Sequence, residues 1–199
     1  MASILKVDTI QDQSGNNIIN ESADTITIGA SGDTINVVGT LQNNGNNAVG
    51  ITEADQWRLT TNLTSDAIIT NLERTDETSS GIIGTGMTES SGVFTFPSTG
   101  IWKVEAIMNV NVSVQDTIVM QIEVTIDNSS YNNYSFGLAG GAAAGGESNS
   151  AYTSAIIDVT DTANVKVRFN ASSISATNSI RGNTNFNETH FNFIRLGDT

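Results

Sequence analysis

The chain contains one histidine, His190, and no cysteine. Without a thiol there is no nucleophilic cysteine, no thiolate metal site and no disulfide framework. His190 has no carboxylate motif beside it, so a catalytic dyad would have to assemble from distant residues. In an alternating count it lies opposite Phe191 and Phe193, which suits a structural or surface position. Glu105 and Glu123 occupy the polar positions of two patterned segments. Paired in one groove they would be the acid and base of a glycan depolymerase, but nothing else in the sequence marks such a groove. The expectation is therefore a protein that is not an enzyme.

Two other groups of residues have chemistry of their own. Asp158 and Asp161 lie three apart around a turn, with Asp116 and Asp127 in other loops. Hard oxygen ligands of this kind suit calcium. No Asp-x-Asp-x-Asp-Gly spacing is present, so solvated turn aspartates are the competing reading, and no other cofactor is expected. Tyr131, Asn132, Asn133, Tyr134 and Phe136 cluster in one stretch. Flat aromatic faces beside amide groups are what sugar-binding surfaces use, which makes these the candidate receptor-binding residues. Packing between strands is the alternative. The Gly137–Gly146 segment that follows is not a phosphate loop, because no Gly-Lys-Ser/Thr follows it. It reads as a tip loop of small residues. Trp57, Trp102, Phe191 and Phe193 are candidate anchors of a core or of a subunit contact.

The elements that position these residues read as strands. Charged residues make up 15% of the 199, hydrophobic ones 38%, and Asn, Thr, Ser and Gly fill the difference. Such a composition favours strands and turns over helices. Trp102, Val104, Ala106, Met108, Val110 and Val112 alternate with polar residues. Ile118, Met120, Ile122, Val124 and Ile126 repeat the pattern, as do Val165, Val167 and Phe169, and Ala155, Ile157 and Val159. The run Phe191–Leu196 is apolar on both faces and predicts a strand buried on both sides, either in a sandwich or at a subunit contact. Thr52–Arg58 fits a capped helical turn or a first strand equally well.

The first 48 residues have a different texture. Ile4, Val7 and Ile10 sit among polar residues in an amphipathic opening, 1–22. Asp-Thr-Ile recurs at Asp8, Asp24 and Asp33, with glycines close to the later copies. Residues 23–41 read as short strands broken by glycine turns, and 41–48 as an Asn/Gly-rich linker. Rungs this short cannot bury their apolar side chains alone and need other rungs or other copies of the chain. A stem of about 30 residues at roughly 3.3 Å each reaches on the order of 100 Å at most. A fourth Asp-Thr-Ile at Asp116 opens a later strand, so the triplet alone marks only a strand entry.

The net charge is −13, with eight basic residues scattered along the chain. Nucleic acid is thereby disfavoured as a partner, since phosphate binding needs clustered Lys and Arg. No apolar run approaches a membrane span, and the opening Met-Ala-Ser-Ile-Leu-Lys lacks a signal-peptide core. The expectation is synthesis in a cytoplasm without export by the general secretory route, with any role outside the cell following lysis.

Phe94-Thr-Phe-Pro-Ser-Thr-Gly100-Ile-Trp102-Lys-Val resembles the Phe-x-x-Pro-x-x-Gly-x-Tyr-x-Val strand entry of C1q/tumour-necrosis-factor-like jelly rolls. Ala155-Ile-Ile-Asp-Val-Thr-Asp161-Thr-Ala-Asn-Val resembles their Leu-x-Leu-x-x-Gly-Asp-x-Val hairpin, with Asp161-Thr in place of Gly-Asp. The opening Ser3–Ile18 is similar to the N-termini of fibre and appendage proteins of tailed bacteriophages, especially marine ones. The resemblance implies an all-β chain. A virion-attachment segment (1–22, anchored through Ile4, Val7 and Ile10) leads into a short β-rich trimeric stem (23–48). An antiparallel jelly-roll knob (49–199) follows. It also implies a homotrimer on the virion, on tail or capsid, whose partners are itself, other virion proteins and a host surface glycan or protein. Three copies would carry about −39, three times −13. Calcium near the axis of some trimers in this family is what gives Asp158 and Asp161 their interest. A decoration protein with no specific receptor is the second expectation.

Overall fold

Thr and Ile at alternate positions suit a pleated surface, and the strand Thr25–Ile28 is built from them alone. The computed structural model describes residues 9–11, 13–15, 17–22, 25–28, 32–38, 41–43, 46–47, 50–142, 146–175 and 177–199. The chain divides into two compact units, Met1–Gly50 and Ile51–Thr199.

In the first unit, strands β1 (Thr9–Gln11), β2 (Asn17–Ser22) and β3 (Thr25–Ile28) form an antiparallel three-stranded sheet. Gly15, at φ +84°, makes the turn between the first two. β4 (Gln42–Asn43) pairs with β5 (Asn46–Asn47), so the Asn/Gly-rich linker contains a small hairpin. The third Asp-Thr-Ile corrects the expectation of a strand, because 33–37 is irregular. A strand exists only through a ladder partner, and a hairpin-sized piece has little to hold it. None of the side chains described in this unit is buried, and Val38 is 94% exposed. Ile4 and Val7 lie outside the described residues, and Ile10, in β1, is exposed.

The second unit is the antiparallel jelly-roll sandwich. Its strands are β6 (Ala54–Leu59), β7 (Ala67–Ile68), β8 (Leu72–Arg74), β9 (Thr88–Ser90), β10 (Val93–Thr95), β11 (Gly100–Val112), β12 (Asp116–Thr125), β13 (Tyr131–Gly141), β14 (Glu147–Val159), β15 (Lys166–Ser172), β16 (Ser179–Ile180) and β17 (His190–Gly197). The first sheet runs β13-β12-β15-β10-β9, with β7 on β15. The second runs β14-β11-β17-β6-β8, with β16 on β11. There is no helix among the described residues.

Period-two alternation fills the space between the sheets. Trp102, Val104, Ala106, Met108, Val110 and Val112 are buried from one side, Ile118, Met120, Ile122 and Val124 from the other. Aromatic rings join them: Phe169 stacks on Phe191 at 4.0 Å, and Phe94 meets Phe193 at 4.8 Å. Each large side chain so buried contributes roughly 1.5–3 kcal/mol. Gly100 opens β11 at φ +138°, where an added Cβ would lie 2.5 Å from Gly197 O and Arg195 Nε. No other residue fits there, and this is the glycine of the strand-entry motif.

One open choice is settled and two expectations need correction. Thr52–Arg58 takes the strand alternative and contains no helical turn. Ala54–Leu59 is a strand held between β17 and β8, with Trp57 against Phe94 at 5.4 Å. Within one chain the last strand is buried on one face only. Phe191 and Phe193 point inward, while Leu196 is exposed. Ile126 does not continue the inward stripe. Thr125 ends β12 with its hydroxyl bonded to Asp127 at 2.9 Å, and the turn leaves Ile126 68% exposed.

Candidate interaction surface

The five candidate receptor residues all lie at the start of β13. Ile122 pairs with Ser135 and Glu123 with Asn133, so Tyr134 is the extra residue of a β-bulge. A bulge reverses the alternation beyond it. Tyr131 and Asn133 therefore share the outer face with Phe136 and Leu138. The Arg168 guanidinium covers one face of the Tyr131 ring at 3.9 Å. Arg168 Nε in turn donates to Glu123 Oε2 at 2.6 Å, and Asn170 Nδ2 to Glu123 Oε1 at 2.8 Å. Burial raises the Tyr131 phenol above its ordinary value, with Arg168 acting against this. Asn132, Asn133, Tyr134 and Phe136 are exposed.

β13 and β14 are edge strands of different sheets, and they lie against each other. Ser135 Oγ and Thr153 Oγ1 are 2.5 Å apart. At Gly137 an added Cβ would come within 3.3 Å of the Ala151 Cβ and Tyr152 O. Tyr134, Phe136, Leu138, Tyr152 and Ile156, each more than half exposed, therefore line this closed side of the sandwich. Leu138, Tyr152 and Ile156 were not singled out from the sequence. The signal was available in Ala155-Ile156-Ile157, where an apolar residue fills the outward slot of an alternating strand.

The outer face of the second sheet is polar along its middle. Tyr152 Oη donates to Glu105 Oε1 at 2.7 Å, Lys103 Nζ pairs with the same oxygen at 2.6 Å, and Asn192 Nδ2 donates to Glu105 Oε2 at 3.1 Å. Gln56 Nε2 continues the row to Asn192 Oδ1 at 2.7 Å. Burial opposes the Glu105 charge, but the donors from Lys103, Tyr152 and Asn192 prevail and hold its carboxyl below the usual range. His190 lies on the same face. Burial lowers its pKa, opposed by a backbone hydrogen bond at Glu188 and by the Glu105 charge. Toward the far edge of this sheet lies a cleft of about 380 Å³, with Ala54, Ile83 and Ile194 as its apolar walls and Thr75, Gln56 and Asn192 between them.

Neighbouring this cleft is a fully buried cation. Arg58 is bonded to Glu73 at 2.7 Å, Asp76 at 2.5 Å, Glu77 and the Thr184 carbonyl. Burial works against its charge, and the three carboxylates outweigh burial and raise its pKa. It ties the 73–77 and 184 segments to β6.

The remaining candidates are dispersed. Asp158 is exposed on β14, while Asp161 spends its carboxylate on its own turn, accepting from Ala163 N at 2.8 Å and Asn164 Nδ2 at 2.6 Å. Asp127 is likewise committed to Ser130 N and Ser129 N, which hold it far below the usual carboxylate range. Among the described residues no cluster of three or more His, Cys, Asp or Glu could hold a metal. Glu105 and Glu123 lie on different sheets and face away from each other, so they do not form a carboxylate pair. Trp102, Phe191 and Phe193 are in the core, and Trp57 packs at its edge with its Nε1 bonded to Asp55 Oδ2 at 2.9 Å.

No protein-family model matches the sequence, and no curated protein matches it. Among solved structures the chain is similar to the Eiger tumour necrosis factor of S. frugiperda. Identity is 14% and the TM-score 0.57, over 75% of this chain and 96% of that one. It is also similar to murine APRIL at pH 8.5, with 10% identity and a TM-score of 0.53 over 72% and 98% of the two chains. At these identities the likeness is one of fold: the second unit is a tumour-necrosis-factor-like jelly roll.

Proposed function

We propose that the chain is the protomer of a homotrimeric spike of a tailed bacteriophage, whose jelly-roll unit attaches to the host cell surface. The observation that carries this reading is the apolar side formed by Tyr134, Phe136, Leu138, Tyr152 and Ile156. In a chain of net charge −13 such a group of exposed apolar side chains is a surface awaiting cover. The cleft walled by Ala54, Ile83 and Ile194 lies toward the opposite edge of the sheet that carries Tyr152 and Ile156. Two different patches on two edges make a head-to-tail contact, which closes into a ring when the rotation permits. The family resemblance makes that ring a trimer, and the likeness of Ser3–Ile18 to fibre N-termini supports the virion location.

Sedimentation of the full chain tests the assembly, with an expected mass of three times 21.0 kDa. A monomer at micromolar concentration overturns it, as does a trimer that persists when Phe136→Ser is combined with Leu138→Ser. Competition by the soluble chain against phage adsorption tests attachment. One observation favours a decoration role instead: the Tyr131 ring is already covered by Arg168, and Glu123 by Arg168 and Asn170. A chain that assembles on virions but never competes for cells establishes that second reading.

A further inference from the structure

The sugar-type residues of β13 are not the best-formed polar recess on the second unit. A cleft of about 360 Å³ opens where β11 ends and β14 begins, at the other end of those strands from Gly100 and Val159. Its walls are Asn109 from β11, Ser148, Asn149 and Ser150 from β14, and Arg181 and Glu188 from the segment between β16 and β17. That volume lies at the low end of small-molecule sites, roughly 300–1,000 Å³.

The walls are held rigidly. Arg181 N donates to Asn109 O at 2.8 Å, and Asn109 Nδ2 donates to Glu188 O at 2.7 Å. Arg181 Nη2 pairs with Glu188 Oε1 at 2.7 Å, and Asn149 Nδ2 donates to Gly140 O at 2.6 Å. These bonds consume the donors on one side of each group and leave capacity on the other. The Oδ1 atoms of Asn109 and Asn149 and the second oxygen of Glu188 accept no hydrogen bond from a described residue, and the Ser150 hydroxyl is likewise without a described partner.

The chemistry of the recess selects its ligand class. One guanidinium and one carboxylate make it neutral, so an anion would meet Glu188 and a cation Arg181. An apolar ligand would strand every polar group in the wall. A ligand whose groups both donate and accept satisfies all of them, and a row of hydroxyls is such a ligand. We infer that this cleft binds a neutral saccharide unit. The inference deepens the attachment reading by naming the class of surface molecule it would recognise. No aromatic side chain lines the cleft, so each copy binds weakly, and tight attachment to a glycan would come from several copies acting together.

Saturation-transfer NMR on the full chain tests the cleft, with glucose, galactose and mannose as probes at up to roughly 100 mM, enough to fill a millimolar site. Glucuronate serves as the charged control. The expected result is transfer to at least one neutral hexose, reduced about tenfold or more in Ser150→Trp. Ser148→Glu repeats the block with a charged side chain in place of an aromatic one, and both positions are exposed, so the fold is not at stake. Transfer to none of the three, transfer unchanged in both variants, or equal transfer to glucuronate overturns the assignment. The cleft and the attachment reading fail separately. If the wild-type chain and Ser150→Trp compete equally for cells, attachment stands and the cleft falls. If hexose binds but the chain never binds cells, the cleft stands and attachment falls.

Discussion

The two units of this chain use the same residue types to opposite ends. In 51–199, Ile, Val and Phe alternate along strands of up to 13 residues and meet across two sheets, leaving Phe169, Phe191 and Phe193 with no exposure. In 1–50, Ile26, Ile28, Ile35 and Val38 are exposed, and no described side chain is buried. Strand propensity is similar in both. What differs is strand length and the number of neighbours, which decide whether a pleated surface finds a partner within its own chain. The second unit closes a core of its own, whereas the described side chains of the first face outward.

The largest expected effects break the second unit at that core. Phe169→Ala removes a ring that meets Phe94, Phe191 and Phe193, and it should cost about 3–5 kcal/mol in urea unfolding. A loss below ~1 kcal/mol would mean that the sheets can collapse onto the gap, and that the contrast between the units is shallower than drawn. Arg58→Ala ranks next. It leaves Glu73, Asp76 and Glu77 facing one another, but Asp76 and Glu77 reach water. The loss should stay below the ~3–5 kcal/mol of a fully buried pair, at about 2–3 kcal/mol. Arg58→Lys should not restore it, because one ammonium cannot replace the guanidinium fork.

Acid should unfold the second unit in two smaller steps. Burial holds His190 below its ordinary value of 6.5, so the unfolded chain takes up a proton first as pH falls. Stability then declines from about pH 6.5 down to the folded value. Glu105 and Asp116 are held below 4.5 and 3.8 by their donors. Their contribution is complete above those values and is lost as pH falls through the lowered ones. Urea midpoints between pH 8 and 3 should show both steps, and His190→Asn should flatten only the upper one. A profile level from pH 7 to 5 contradicts the role given to His190.

Much of the second unit was legible because its signal is local. The stripe from Trp102 to Val112 states its own period, and Gly100 marks a backbone position that no other residue fits. The sequence is undecided or misleading where a distant residue decides. Thr52–Arg58 suits a helix cap and a strand equally well, and the ladder to Phe191 and Phe193 makes it a strand. The Phe191–Leu196 run looked two-sided because its outer apolar residues are indistinguishable in sequence from inner ones. The polar cleft at Asn109, Ser148, Arg181 and Glu188 gathers residues up to 79 positions apart (109 to 188), and no spacing rule could have joined them. The bulge at Tyr134 moved the candidate receptor residues for a similar reason, since only the register against β12 reveals it.

The smallest effect on unfolding sharpens the comparison most. Ile26→Asn with Ile28→Asn alters side chains that are already exposed in one chain, so unfolding of the second unit should move by no more than about 0.5 kcal/mol. The informative measurement is limited proteolysis of 1–50 across a range of protein concentrations. If copies of the chain supply the missing core, cleavage within 1–50 slows as concentration rises and assembly proceeds, and the double variant loses that protection while the jelly roll stays intact. Cleavage at one rate at every concentration would make 1–50 a tether without a core of any kind. Exposed Ile26 and Ile28 would then be incidental, and the assembly would rest on the β13–β14 side alone.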